Sequence, residues 1–255
     1  MKKLLSFALL TLSLNLANAQ TSTTTTTIST TPQKWRIGLT GNLGGAWLKS
    51  NNSQINYKSA GVQYGLNLQI EKRLTNSVSF LTGAGISWHS STVGFANDTN
   101  TVVNLTIEKV EYEMISRKYS FQSVDIPLGL KLKTNEIGAI TYWAQVGLLP
   151  SLRVNASATK NTYKIGNTES TFSGGNEKMT VNDANFFRAS VFGGLGIEYS
   201  LSGSTALTVG VQYVSGFLST LHSTSDNLYT NGNINNKLAQ NVMSNYVTLN
   251  AGILF

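Results

Sequence analysis

The sequence predicts an all-β chain: an eight-stranded antiparallel up-and-down barrel that crosses a membrane with its strands. Three observations predict it. Eight segments alternate apolar and polar side chains with a period of two, the links between them alternate short and long, and glycine collects on the polar parity. Successive strand side chains point to opposite faces, so a period of two means a sheet with one oily and one polar face.

Trp35–Leu48 sets Trp35, Ile37, Leu39, Leu43 and Trp47 against Arg36, Thr40 and Asn42. Gly61–Leu74 sets Val62, Tyr64, Leu66, Leu68 and Ile70 against Gln63, Asn67, Gln69, Glu71 and Arg73. Ser77–His89 opposes Val78, Phe80, Ile86 and Trp88 to serines; Tyr119–Lys133 opposes Val124, Ile126, Leu128, Leu130 and Leu132 to Ser123, Asp125, Lys131 and Lys133. Ala139–Arg153, Phe186–Ser200 and Thr205–Val214 repeat the pattern. The last segment, Asn245–Phe255, alternates Val247, Leu249, Ala251, Ile253 and Phe255 with Tyr246, Thr248, Asn250 and Gly252. It is long enough to cross a bilayer as a tilted strand of roughly 9–11 residues.

The links carry the second signal. Thr75-Asn76, Thr134–Gly138 and Leu201–Ser204 are tight turns, whereas the other links are long and rich in Asn, Ser, Thr and Gly, the longest being Ala156–Asn185 and Gly216–Ser244. Transmembrane barrels have short periplasmic turns and long extracellular loops. A soluble compact domain rarely needs several structureless loops of that length.

Alternation alone does not say which face is inside, because a soluble lipocalin-like barrel has the same period with its apolar face inward. Glycine discriminates. Gly38, Gly44, Gly65, Gly83, Gly85, Gly129, Gly147, Gly194, Gly196, Gly210 and Gly252 lie on the polar parity, and only Gly41, Gly45 and Gly193 on the apolar one. Glycine weakens a solvated strand, whereas a narrow lumen needs small residues to admit long ones. The polar parity is therefore the predicted interior.

That interior carries Arg36, Glu71, Arg73, Asp125, Lys131, Lys133, Arg188 and Glu198. Charges in so small a barrel must pair or be hydrated. All but Asp125 and Arg188 fall near the short-turn end, which predicts a mixed-sign ionic and water network there. Leu81, Phe121, Trp143, Phe186 and Phe192 share the inward parity and predict a stuffed lumen, unless a bulge turns Trp143 outward. Trp35, Trp47, Tyr64, Phe80, Trp88, Tyr142, Tyr199, Tyr213 and Phe255 are on the outward parity, as in interfacial girdles; the alternative is the core of a soluble barrel.

Met1–Ala19 has a basic start (Lys2, Lys3), an apolar stretch from Leu4 to Leu16 and an A-x-A site at Ala17-Asn18-Ala19, the pattern of a cleaved signal peptide. Residues 20–34 form a Thr-rich flexible lead-in, and the barrel domain spans 35–255. Of 19 basic and 12 acidic side chains, removal of Lys2 and Lys3 leaves 17 against 12, a net charge of +5. The basic residues are scattered singly, which excludes a nucleic-acid surface. With no cysteine there is no disulfide and no thiolate metal site.

Candidate chemistry is sparse. His89 and Ser91 share a face, and a Ser–His pair with a carboxylate is the minimum for acyl transfer, but no motif places that carboxylate. His222 lies in a Ser/Thr loop with no evident partner. Glu108, Glu111 and Glu113, with Asp98 nearby, match no calcium loop; Val103–Met114 reads better as a hairpin beyond the membrane with a charged rim. The glycines around Ala84 and Leu195 precede no helix and are not nucleotide loops. No catalytic, cofactor or metal site is expected.

The terminal strand, with Tyr246 within it and Phe255 at its end, resembles that of Gram-negative outer-membrane barrels, whose final aromatic is part of the signal read by the barrel-insertion machinery. Tyr119–Lys131 resembles the signature aromatic-x-x-x-x-[VL]-[DE]-I-P-x-x-L-K of the PorT-like outer-membrane β-barrel family of Bacteroidota, centred on Asp125, Ile126 and Pro127. The match to Pro127 adds weight, since proline inside a strand lacks a ladder donor. The resemblance covers about 35–255 and implies an outer-membrane location; through one namesake it implies a link to protein secretion. The Thr-rich lead-in and long polar loops depart from the pattern. The expected function is a non-enzymatic structural or interaction role through extracellular loops. The expected partners are outer-membrane lipid and lipopolysaccharide, the barrel-assembly machinery and proteins meeting those loops. The alternatives are a lipid A acyl hydrolase or acyltransferase and a narrow passive pore.

Overall fold

The computed structural model describes residues 34–96, 99–104, 109–165, 168–172, 177–179, 183–230, 233 and 235–255. The expected signal peptide, its cleavage site and residues 20–33 of the lead-in lie outside them. The long strands are β1 (Trp35–Ser50), β2 (Ile55–Arg73), β3 (Val78–Phe95), β5 (Lys109–Asp125), β6 (Leu128–Lys133), β7 (Ile140–Ile165), β10 (Phe187–Ser202), β11 (Thr205–Gly216) and β14 (Val242–Leu254). Shorter ones are β4 (Thr99–Asn104), β8 (Thr168–Phe172), β9 (Glu177–Lys178), β12 (Thr224–Thr230) and β13 (Lys237–Ala239). Among the described residues no helix is long and apolar enough to cross a membrane, which says nothing of strands.

The pairings close on themselves. β1 pairs with β2, β2 with β3, β3 with both β5 and β6, both of these with β7, β7 with β10, β10 with β11, β11 with β14, and β14 with β1, all antiparallel. The seam between first and last strands runs from Gly38 opposite Leu254 to Ser50 opposite Val242. Beyond it the Ile37 and Phe255 backbones exchange hydrogen bonds of 3.2 and 2.7 Å. Such closure removes the edge that an open sheet leaves unpaired.

Two features correct the simple plan of eight strands. First, the predicted fourth strand is two, β5 and β6, divided at Ile126-Pro127. Gly85 faces Asp125 and Leu81 faces Gly129, so the register is the same on both sides of the gap. Proline has no N–H for the ladder, and the Ile126 amide turns to the Pro150 carbonyl at 2.9 Å. Second, the long links are not structureless. β4 pairs with β5 and β12, β12 with β13, and β7 with β8 and β9. The β4–β5 pairing, with Val103 opposite Val110, is the hairpin expected there. The short turns sit together at the other end; Gly138 (φ 67°) and Gly203 (φ 59°) take the left-handed backbone that two of them need.

Leu39, Leu43, Leu66, Leu130, Val146, Leu195, Val209 and Leu249 are exposed on the outside of the ring, and Glu71, Lys131, Asp125, Arg188 and Glu198 are buried inside it. The oily face points outward, as the glycines predict. A Cβ on the outward Gly45 would meet nothing, whereas one on the inward Gly129 would come within 2.9 Å of Phe192. Trp143 is inward, with unbroken register around it, so no bulge turns it out. Phe186 is 56% exposed, against expectation, because it precedes the start of β10 and escapes its alternation.

Toward the long links the two faces exchange character along single strands. On β3 the inward series runs Ser87, His89, Ser91, then Val93 and Phe95, all buried. The outward series runs Phe80, Ile86, Trp88, then Ser90 and Thr92. Val93 and Phe95 join Leu48, Ile55, Met114, Tyr119, Phe121, Ala156, Leu221, Leu228, Leu238 and Val242 in a buried cluster. This end has the oil-inside arrangement of a water-soluble protein, continuous with a ring that is oily outside.

Candidate functional site

The lumen is where the charged and polar chemistry converges, and it is filled in layers. At the short-turn end, Arg36 opens β1, Glu71 lies near the end of β2, Lys131 and Lys133 close β6 and Glu198 lies late in β10. Their tips meet. Lys131 Nζ is 2.6 Å from both Glu71 Oε1 and Glu198 Oε1. Lys133 Nζ is 2.6 Å from Glu71 Oε2 and 3.0 Å from Glu198 Oε1. Arg36 Nη1 is 2.8 Å from Glu198 Oε2 and 3.8 Å from Glu71 Oε2. Gln69 Nε2 donates to Glu71 Oε1 at 2.7 Å. Each carboxylate therefore bridges three cations, the condition under which a buried ion network offsets its desolvation. Five of the eight predicted interior charges are thus in one cluster. Arg73 is not; among the described residues it makes no ion pair.

Above this cluster, Lys131 also lies 4.8 Å from the centroid of the Trp143 ring, a cation–π contact. Trp143, Gly196 and Gly210 are neighbours across three strands, and so are Phe192, Gly147 and Gly129. Each large ring lies over two glycines. A Cβ at Gly147 would reach within 2.9 Å of Phe192, and one at Gly196 would come within 2.5 Å of Trp143. Asn42, Gln63, Gln145, Gln212 and Asn250 line a polar cavity of about 70 Å³ at this level. Gln63 donates to Asn42 at 2.8 Å, and Gln145 and Asn250 both donate to Gln212, at 3.2 and 3.0 Å. Leu81, Leu149, Phe192, Val214 and Tyr246 close over it.

The other two interior charges form a separate group. Arg188 Nη2 is 3.5 Å from Asp125 Oδ1, and Arg188 Nη1 is 3.0 Å from His89 Nε2. The His89 ring stacks between Phe121 at 5.1 Å and Tyr246 at 6.4 Å between centroids. Asp125 of the signature thus holds Arg188 from inside the barrel. Sequence reasoning missed the His89–Arg188 contact, since parity puts both inside but only the ring closure brings β3 and β10 face to face.

His89 and Ser91 share the inward face but do not form a nucleophile–base pair. Ser91 Oγ accepts from the Leu48 amide at 3.1 Å and donates to the Ser59 carbonyl at 3.3 Å, and the carboxylate near His89 is bound to Arg188. His222 donates its backbone amide to the Asp183 carbonyl at 3.1 Å. Of the acidic group, Glu113 pairs with Lys164 at 3.4 Å; Asp98 and Glu108 lie outside the described residues, as does the side chain of Glu111. Phe255 is exposed on the outer face and Tyr246 is buried in the lumen.

A family model described as the outer membrane protein beta-barrel domain matches residues 18–226. The chain belongs to that family. Membership supports an outer-membrane location and an all-β antiparallel barrel. No curated protein matches. Among solved structures, Neisserial surface protein A is 10% identical over 87% of this chain and 96% of its own, with a TM-score of 0.43. Ail, the attachment invasion locus protein of Yersinia pestis, is 12% identical over 88% and 100%, with a TM-score of 0.34. The outer membrane protease OmpT from Escherichia coli is 11% identical over 91% and 99%, with a TM-score of 0.37. Likeness at this level carries no argument about role.

Proposed function

We propose that the chain is a non-enzymatic, eight-stranded transmembrane barrel that carries a folded β-extension outside the outer membrane and acts through it as a structural or interaction protein. The exchange of faces along β3 carries this reading. A strand in lipid must present apolar side chains outward, and the same strand in water must turn them inward. The switch from Trp88 outside and Ser91 inside to Thr92 outside and Val93 inside marks the boundary. Counting β5 and β6 as one interrupted strand gives eight ring positions. From Trp35 to Trp47 the outward face of β1 runs about 40 Å along the strand and, at a tilt of ~40°, about 30 Å along the axis. That is the depth of a bilayer core.

Outward Lys49 lies just beyond Trp47, and Lys72 lies 5.2 Å from the Trp35 ring at the opposite rim. Such aromatic and cationic pairs anchor a barrel at headgroup level, where they meet lipid and lipopolysaccharide. Export is accompanied by cleavage after Ala19, and insertion follows recognition of Phe255, with Tyr246 part of the same strand signal. The signature at Asp125, Ile126 and Pro127 favours the PorT-like branch and, with it, a link to protein secretion.

The chain has no cysteine, so single cysteines report location cleanly. In intact cells a membrane-impermeant maleimide should label Asn56→Cys in the extension and spare Val209→Cys on the belt. Glu136→Cys, in a short turn, should react only after the outer membrane is permeabilised. Labelling of Val209→Cys, or of Glu136→Cys in intact cells, contradicts the proposal.

A further inference from the structure

On one side of the barrel the outward face turns polar row by row as it leaves the belt. Trp88 of β3 stands opposite Gln122 of β5, and Gln122 opposite Asn155 of β7. Next come Ser90, Ser120 and Ser157 in register, then Thr92, Lys118 and Lys160. The residues that alternate with them, Ser91, Val93, Tyr119, Phe121, Ala156 and Ala158, are buried inside, so these rows face out. Lys58 of β2 joins the last row. A bulge sets it between Tyr57, opposite Val93, and Ser59, opposite Thr92. A Cβ on the outward Gly94 would lie 3.8 Å from that of Lys58.

The lysine row runs against strand pairing. Lys118 and Lys160 are directly opposed, and like charges so placed are destabilising. Among the described residues neither they nor Lys58 makes an ion pair, whereas Lys164 further along β7 has Glu113 at 3.4 Å. Between Lys58 and Lys118 the floor is Thr92 and Gly94, too short to fill the space between two long stems. The result is a shelf flanked by cations, with hydroxyls and side-chain amides on its belt side.

We propose that this shelf binds the phosphorylated sugar head of lipopolysaccharide, a site that rests on the membrane orientation proposed above. Thr92 marks the boundary of the belt, so the lysines stand at headgroup level, and acyl chains would run along Trp88 and Tyr64, stacked at 5.3 Å. A phosphate monoester carries a charge of about −1.5 to −2, which the opposed lysine pair balances. Lys58 is two strands from Lys118, about 10 Å away, placed for a second phosphate. The serine and amide rows offer the donors and acceptors that sugar hydroxyls need. The wall formed by β10 and β11 has no such panel; toward the extension it exposes Phe187, Phe217 and Leu218.

The test is native mass spectrometry of lipid bound to the refolded full chain in detergent. The probes are diphosphoryl lipid A bearing inner-core sugars, the same lipid stripped of its phosphates, and phosphatidylglycerol. Wild type should hold the phosphorylated lipid A in preference to both others. Lys118→Gln/Lys160→Gln should weaken that binding about tenfold, while the charge-matched Lys34→Gln/Arg73→Gln at the short-turn end should not change it. Flotation with liposomes free of lipid A reports insertion separately. Protein that fails to float overturns the membrane reading and this site with it. Protein that floats but binds the three lipids equally, or binds lipid A equally in both double variants, overturns the shelf alone.

Discussion

Lys131 is 1% exposed and holds two carboxylates from opposite sides of the lumen. Its charge is tolerable only because Glu71 and Glu198 are there, and theirs because of it. Removing one partner from a buried ion network costs about 3–5 kcal/mol, so Lys131→Met should lower the urea-derived unfolding free energy by that order. Arg73→Gln, outside the network, should change it by less than about 0.5 kcal/mol. Equal effects at the two sites would show that the cluster is not a unit. The aromatic–glycine stacks make a second expectation at this scale. Gly210→Val should cost about 1–3 kcal/mol by overpacking, and much of that loss should vanish in a Trp143→Leu background. Strictly additive losses in the double-mutant cycle would mean that the ring and the glycine do not share the space. Parity showed that Trp143 and the glycines face inward, but which glycine meets which ring depends on the register of three strands.

The membrane strands were legible as elements because lipid imposes one rule on every outward position. Of their continuations, the hairpin across Val103–Met114 was legible and the rest were not. The strand read as ending at His89 runs to Phe95, and the visible cue was the change on the inward parity from Ser91 to Val93 and Phe95. A search for constant parity stops where the solvent changes. The extension has its own core, in which Leu238 on β13 and Leu221 are fully buried. Leu238→Ala should cost about 2–5 kcal/mol there while leaving the membrane ring intact. Limited proteolysis in detergent should then cut within residues 223–240 and leave a stable barrel fragment; loss of the whole fold in one step would refute the independence of the two cores. Pro127 shows the opposite limit. Its residue type foretold a missing ladder bond, but only the pairing on both sides showed that the register survives the gap.

For the molecule as a whole, the lumen is blocked in sequence by the ion cluster, by Trp143 and Phe192 with the residues that close over the polar cavity, and by the core of the extension. No continuous wet path follows from such layers. Wild-type protein reconstituted in planar bilayers should therefore be electrically silent; steady ohmic conductance would favour the passive-pore reading instead. A closed lumen is what the proposed role requires, and in that proposal the surfaces outside the membrane belong to β4, β8, β9, β12, β13 and the upper parts of the long strands.

By itself the amino-acid order determined the period of the strands, the outward direction of the oily face and which charges share the inward parity. Each follows from a local regularity that lipid enforces residue by residue. The tertiary structure alone decided which charges meet, where the aromatic rings rest and that the long links fold into a second core. Those are contacts between strands far apart in the chain, and they exist only once β14 has paired with β1 and the ring has closed.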